Sequence, residues 1–132
     1  MESAGKEKFD GDLLGDEHKG SFAKICEKAC AAVEADYDAE RTAHMSYGEY
    51  PAKEYLQHIT GFRYFRIYEI ARLIGVKSGV SDELIESMWD QMSPVADQWR
   101  QMGVFGPEIH VPDDASTEDK LLGLSGRDPL AF

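Results

Sequence analysis

The chain has 132 residues with 25 acidic against 14 basic side chains, a formal net charge of −11. That balance disfavours a protein that tracks nucleic-acid phosphates or an anionic membrane surface with a basic face. With 42% hydrophobic and 11% aromatic residues, it can build one core, and it is too short for two ordinary domains.

Residues 1–20 are charged and glycine-rich without an apolar period, and are expected to form a flexible arm. They also lack the apolar middle of a signal peptide, and no run of the sequence reaches a membrane span's length, so a cytoplasmic location is expected. Ser21 then precedes Phe22, Ile25, Cys26, Ala29 and Val33, the stripe of an amphipathic helix ending near Glu34 to Asp36. Cys26 and Cys30 lie four apart on this helix. They read as core thiols in preference to a metal or redox pair, since His18 and His44 fall outside the helix.

A short second helix is expected from Asp38 to Met45, interrupted by Gly48 and Pro51, with a brief helical turn from Ala52 to Gln57. The longest periodic segment runs from Thr60 to Lys77. Phe62, Tyr64, Phe65, Tyr68, Ile70, Leu73 and Ile74 cover more than one face, which places it at the centre of the fold, and Gly79 is the expected closing residue. Ser81 caps a helix from Asp82 to Met92 with Leu84, Ile85, Met88, Trp89 and Met92 as its buried stripe. Ser93 and Pro94 open a last helix with Val95, Trp99 and Met102 inside.

Residues 103–132 carry Phe105, Ile109, Leu121, Leu122, Leu124, Leu130 and Phe132 among glycines and prolines, with one helical turn from Thr117 to Leu122 capped by Ser116. The segment is too apolar for a solvated linker and too irregular for a domain, so it is expected to be an arm lying on another chain. The expected fold is therefore all-α: a flexible arm (1–20), a small irregular helical domain (21–102) and an extended C-terminal arm (103–132).

No phosphate-binding glycine loop, nucleophile elbow or HExxH zinc motif is present. His18, His44, His58 and His110 are scattered and read as ordinary surface or satisfied histidines. Glu49, Glu54, Asp113 and Asp114 read as solvated acidic surface. Arg41 precedes Tyr47, Tyr50 and Tyr55. A guanidinium among rings can present a planar fork of donors to an anion, although spacing alone favours an i, i+4 or surface ion pair.

The order of features then becomes informative: Asp38-Ala39-Glu40-Arg41, Glu54-Tyr55-Leu56, Arg63-Tyr64-Phe65-Arg66, Ala71-Arg72-Leu73-Ile74, Lys77-Ser78-Gly79-Val80 and Ser81-Asp82-Glu83-Leu84. Over residues 20–92 this set resembles the N-terminal helical half of a nitrile hydratase β subunit. No β-barrel sequence follows Trp99, which makes the chain similar to the split arrangement of thiocyanate hydrolase and the three-subunit toyocamycin nitrile hydratase. The resemblance implies a subunit of a lyase that turns a nitrile into an amide and is inactive alone, with a nucleoside nitrile such as toyocamycin as a substrate of the split type. It implies two partners, an α-type metal-binding subunit and a separate SH3-like β-type subunit. Cobalt(III) or iron(III) would sit on the α-type partner, with no cofactor held by this chain alone. By position, Arg41 would hydrogen-bond oxidised cysteine ligands of that partner, and Phe62, Tyr64 and Phe65 would line the substrate pocket. The alternatives are a thiocyanate hydrolase subunit and a non-catalytic activator or metallochaperone.

Overall fold

Pro51 fixes where the longest helix begins. It cannot continue a strand ladder as a donor, and with φ −54° and ψ 144° it stands as the residue before α2 (Ala52–Leu73). The computed structural model describes residue 12 and residues 14–131. The elements are α1 (His18–Asp36), β1 (Thr42–Met45), β2 (Gly48–Pro51), α2, α3 (Asp82–Met92), a 3₁₀ turn (Ser93–Val95), α4 (Ala96–Gln101) and α5 (Thr117–Leu124). The fold is mostly helical but not all-α as expected, because a two-stranded antiparallel sheet is present. The chain divides between Arg41 and Thr42 into two units. Most of the expected N-terminal arm, with Phe132, lies outside the described residues. No helix of the described chain is long and apolar enough to cross a membrane.

In the first unit, α1 forms where its period predicts but starts four residues early, with Glu17 in place of Ser21 before it and no side-chain cap. None of its 19 residues is buried. Phe22 is 62% exposed and Cys26 and Cys30 are exposed free thiols, so the reading of core thiols is corrected. The stripe is amphipathic in sequence, yet none of its residues is buried.

The helix expected from Asp38 to Met45 is replaced by a turn that ends the first unit and a hairpin that opens the second. Asp38 opens a turn: its carboxylate accepts from the Glu40 amide at 3.1 Å and its carbonyl from the Arg41 amide at 3.2 Å. The strands then pair with Thr42 opposite Pro51 and Met45 opposite Gly48. Gly48 takes φ 146°, and a Cβ there would meet the Tyr50 ring at 3.0 Å.

The expected turn at Ala52–Gln57 and the long helix after Thr60 are one helix of 22 residues. It closes at Gly75, not Gly79. Gly75 takes φ 73°, its amide donates to Arg72 O at 3.1 Å, and the Val76 amide donates to Ala71 O at 2.9 Å, which satisfies the last carbonyls. Helix α3 follows its sequence closely: the Ser81 hydroxyl accepts from the Leu84 amide, and Ile85 and Met88 are buried, although Leu84 faces solvent. Met102, expected inside, is 60% exposed.

The largest correction concerns residues 103–131, which do not form an arm awaiting another chain. Helix α5 is the most buried element, with Leu121 at 0% and Leu122 at 1% exposure, packed with α3 and joined in the core by Tyr64, Phe65, Met88 and Phe105. Its start is held by Ser116, whose hydroxyl accepts from the Asp119 amide at 3.1 Å and donates to the Asp119 carboxylate at 2.8 Å. The irregular backbone around it is satisfied by specific donors. Gly106 N donates to Ser125 O and Ile109 N to Gly123 O at 3.0 and 2.9 Å. Arg100 donates to Gly106 O and Leu124 O, and Arg72 donates to Pro129 O at 2.8 Å. Fixed donors of this kind replace the periodic ladder that the sequence lacks.

A candidate ligand cleft on α2

Along α2, His58, Phe62 and Arg66 recur at i, i+4 and i+8, and therefore share one face. That face borders an open cleft of about 800 Å³, within the usual range of small-molecule sites. Tyr47 and Tyr50 from the hairpin supply a second wall. Trp99 of α4 and Phe105 after it supply a third, and Phe65 lies between.

The rings are mutually oriented. Tyr50 and Trp99 each meet the His58 imidazole edge-on, at 4.9 Å and interplanar angles of 77° and 85°. Phe62 stands at 76° to Trp99 with centroids 6.4 Å apart, while Trp99 stacks on Phe105 at 6.1 Å. Phe62 is 52% exposed although it sits beside these rings, so a large apolar surface is presented to the cleft.

His58 Nδ1 is buried and has no hydrogen-bond partner among the described residues. Burial pushes its pKa down, only partly opposed by the Glu54 charge, so the imidazole is neutral at pH 7. The expectation of an ordinary, satisfied histidine is corrected: this one is unsatisfied and walled by rings.

At the far end of the α2 face, two arginines share one acid. Arg66 donates to Glu69 at 2.6 Å and Arg127 donates to its other oxygen at 2.9 Å. Burial would raise the Glu69 carboxyl, but these hydrogen bonds outweigh it and hold it below the usual range. Arg127 also lies 4.2 Å over the Phe65 ring and donates to Ser125 Oγ, which fixes its orientation. Glu54, expected to be solvated surface, borders the cleft at the opposite end of the α2 row.

Of the residues expected to form a site, Phe62 and Phe65 border the cleft. Tyr64 does not. It is 2% exposed, and its hydroxyl donates to Glu118 of α5 at 3.0 Å, which makes it a core residue. Arg41 lies in the first unit, where its fork is filled: Nη1 and Nη2 donate to the two oxygens of Asp36 at 2.9 and 3.0 Å. Its side chain is 42% exposed, so this is the surface ion pair that its spacing allowed. Tyr47 and Tyr50 were expected beside Arg41 and instead line this cleft, while Trp99 and Arg127 were not expected at a site, because they reach it from separate elements. Of the α2 residues on the cleft, Phe62 and Phe65 were anticipated from the sequence.

Among the described residues no three His, Cys, Asp or Glu side chains gather as a metal-binding group. The cleft offers ring faces, side-chain amides from Gln57, Gln91 and Gln98, and a cationic end at Arg66 and Arg127. No family model, curated protein or solved structure matches this chain.

Proposed function

We propose that this chain is the helical β-type subunit of a heteromeric, metal-dependent nitrile hydratase in the cytoplasm, inactive until joined by an α-type metal-binding subunit and an SH3-like β-type subunit. One observation carries the reading: the α2 aromatics Phe62 and Phe65, whose order along the chain resembles that of the family, border one open cleft of small-molecule size. Their role would be to hold the organic part of a nitrile by apolar contact and to exclude water from it. The metal, cobalt(III) or iron(III) on the partner, would supply Lewis-acid chemistry.

Arg41 would exchange Asp36 for the oxidised cysteine oxygens of the partner. An exposed ion pair gives up its partner readily to a better-desolvated anion, and a planar fork matches two oxygens. A second reading is favoured by that same pair. If the Arg41 fork stays with Asp36, the chain contacts no oxidised cysteine and acts as a non-catalytic activator or metallochaperone.

The test is co-purification of the tagged chain with the products of its neighbouring genes, followed by metal analysis and hydration assays on nitriles. The reading expects an assembled complex that carries cobalt or iron and forms amide. Hydrolysis of thiocyanate in place of nitrile would move the chain to the related hydrolase. A complete hydratase that stays fully active after this chain is removed would make it an activator.

A further inference from the structure

The cleft has a direction. Phe62 and Trp99 meet at 76° and form a corner of two ring faces, with Tyr50 and His58 beyond it. A flat π-system packs into such a corner face-on to one ring and edge-on to the other, the arrangement aromatic quadrupoles favour, whereas a puckered aliphatic ring gains only area. One helical turn from Phe62, Arg66 faces the same cleft, and Arg127 borders it beside Arg66. Both draw on the single carboxylate of Glu69, which leaves more guanidinium than carboxylate at this end. That is notable in a chain of net charge −11, where a positive site must be kept against the prevailing field. At the other end Lys53 and Glu54 carry opposite charges, so the net positive end of the cleft is that of Arg66 and Arg127.

We infer that this cleft binds a flat aromatic molecule carrying a negatively charged group, with its ring in the Phe62–Trp99 corner and its charge at Arg66 and Arg127. The inference rests on the cleft geometry and not on the nitrile reading. If both hold, the substrate is an aromatic nitrile with an acidic substituent.

The experiment is calorimetric titration of the full chain alone with 2-naphthoate, its neutral counterpart 2-naphthamide, and cyclohexanecarboxylate. The expected result is saturable one-to-one binding of 2-naphthoate, about tenfold weaker binding of the amide, and weaker binding still of the aliphatic acid. Arg66→Gln, a change at a side chain 74% exposed, should lower the preference for the acid over the amide, because Arg127 alone then meets the charge, and should weaken the acid more than the amide. Phe62→Ala, also at an exposed position, should weaken both aromatic probes together. Absence of saturable binding by either aromatic probe would overturn the proposal, as would equal affinity for acid and amide in the unaltered chain. Neither result touches the nitrile reading, which is judged on the assembled complex.

Discussion

The Tyr64 hydroxyl donates to Glu118 Oε1 at 3.0 Å across 54 positions of sequence, and so ties the middle of α2 to the first turn of α5. Ser78 donates to the same oxygen at 3.4 Å. Tyr64→Phe keeps the ring packing and removes one hydrogen bond to a carboxylate, at a cost of about 1–2 kcal/mol in urea unfolding. Burial first, and then the Glu118 charge, push the phenol well above its ordinary pKa of 10. The folded chain therefore holds a proton that the unfolded chain releases, and stability that is complete below pH 10 declines as pH rises past it. The urea midpoint should fall between pH 9 and 11 and should fall less in Tyr64→Phe. Tyr47 and Tyr68, raised chiefly by burial, account for the remaining slope.

His58 acts at the other end of the scale. Its folded pKa lies below the ordinary 6.5, so its contribution is present above that value and is lost as pH falls through the folded pKa. Midpoints measured from pH 7.5 down to 5.5 should decline in the unaltered chain. His58→Phe keeps an aromatic ring between Tyr50 and Trp99, and it should flatten that decline.

Two truncations should behave oppositely. Removing residues 104–131 takes Phe105, Leu121, Leu122 and Leu124 out of the core. At about 1.5–3 kcal/mol for each buried side chain, the loss is about as large as the whole stability of an ordinary domain. That fragment should show no cooperative unfolding by circular dichroism. Removing residues 1–36 takes away a helix in which nothing is buried, and the midpoint of the remainder should stay where it is.

These outcomes turn on what could be read in the sequence. Ser81 and Ser116 announced α3 and the start of α5, because an N-cap hydroxyl is a local device with a local signature. The hairpin escaped because its strands have four residues each, too few for alternation to outweigh Asp38, Glu40 and Arg41, which suit a helix as well as a turn. The burial of 103–131 escaped for a different reason. Its partners are carbonyl-directed arginines, Arg72 and Arg100, which leave no period along the segment they hold. At the cleft, Phe62 and Phe65 could be anticipated. Tyr64 turns into the core beside Phe65 and away from the cleft, because residues one or two apart point in different directions from a helix.

Gly123 gives the sharpest steric test. A Cβ there would run into the carbonyl oxygen of Ile109, which is backbone and cannot swing aside. The Ile109 amide donates to Gly123 O at 2.9 Å, so the two segments are fixed against each other. Gly123→Ala should cost about 2–3 kcal/mol by overpacking, despite alanine's better helix propensity, and denaturant titration reads it directly.

Arg41 separates the two functional readings. In the isolated chain its exposed pair with Asp36 contributes little, and Arg41→Lys should leave the unfolding midpoint unchanged. In an assembled hydratase the same change should lower turnover about ten- to hundred-fold with metal content intact, since lysine cannot hold two oxygens in one plane. Unchanged turnover would leave Arg41 as a surface residue.

The distance in sequence between α3 and its cover has a consequence during synthesis. Met88 leaves the ribosome some thirty residues before Leu121. At roughly 5–20 residues per second, the apolar faces of α2 and α3 stay bare for about two to six seconds in each round of translation. Over that interval the nascent chain is a substrate for chaperones and a hazard to its neighbours on the same polysome. A slowed ribosome between codons 92 and 121 should therefore lower the yield of folded protein more than the same delay placed after α5.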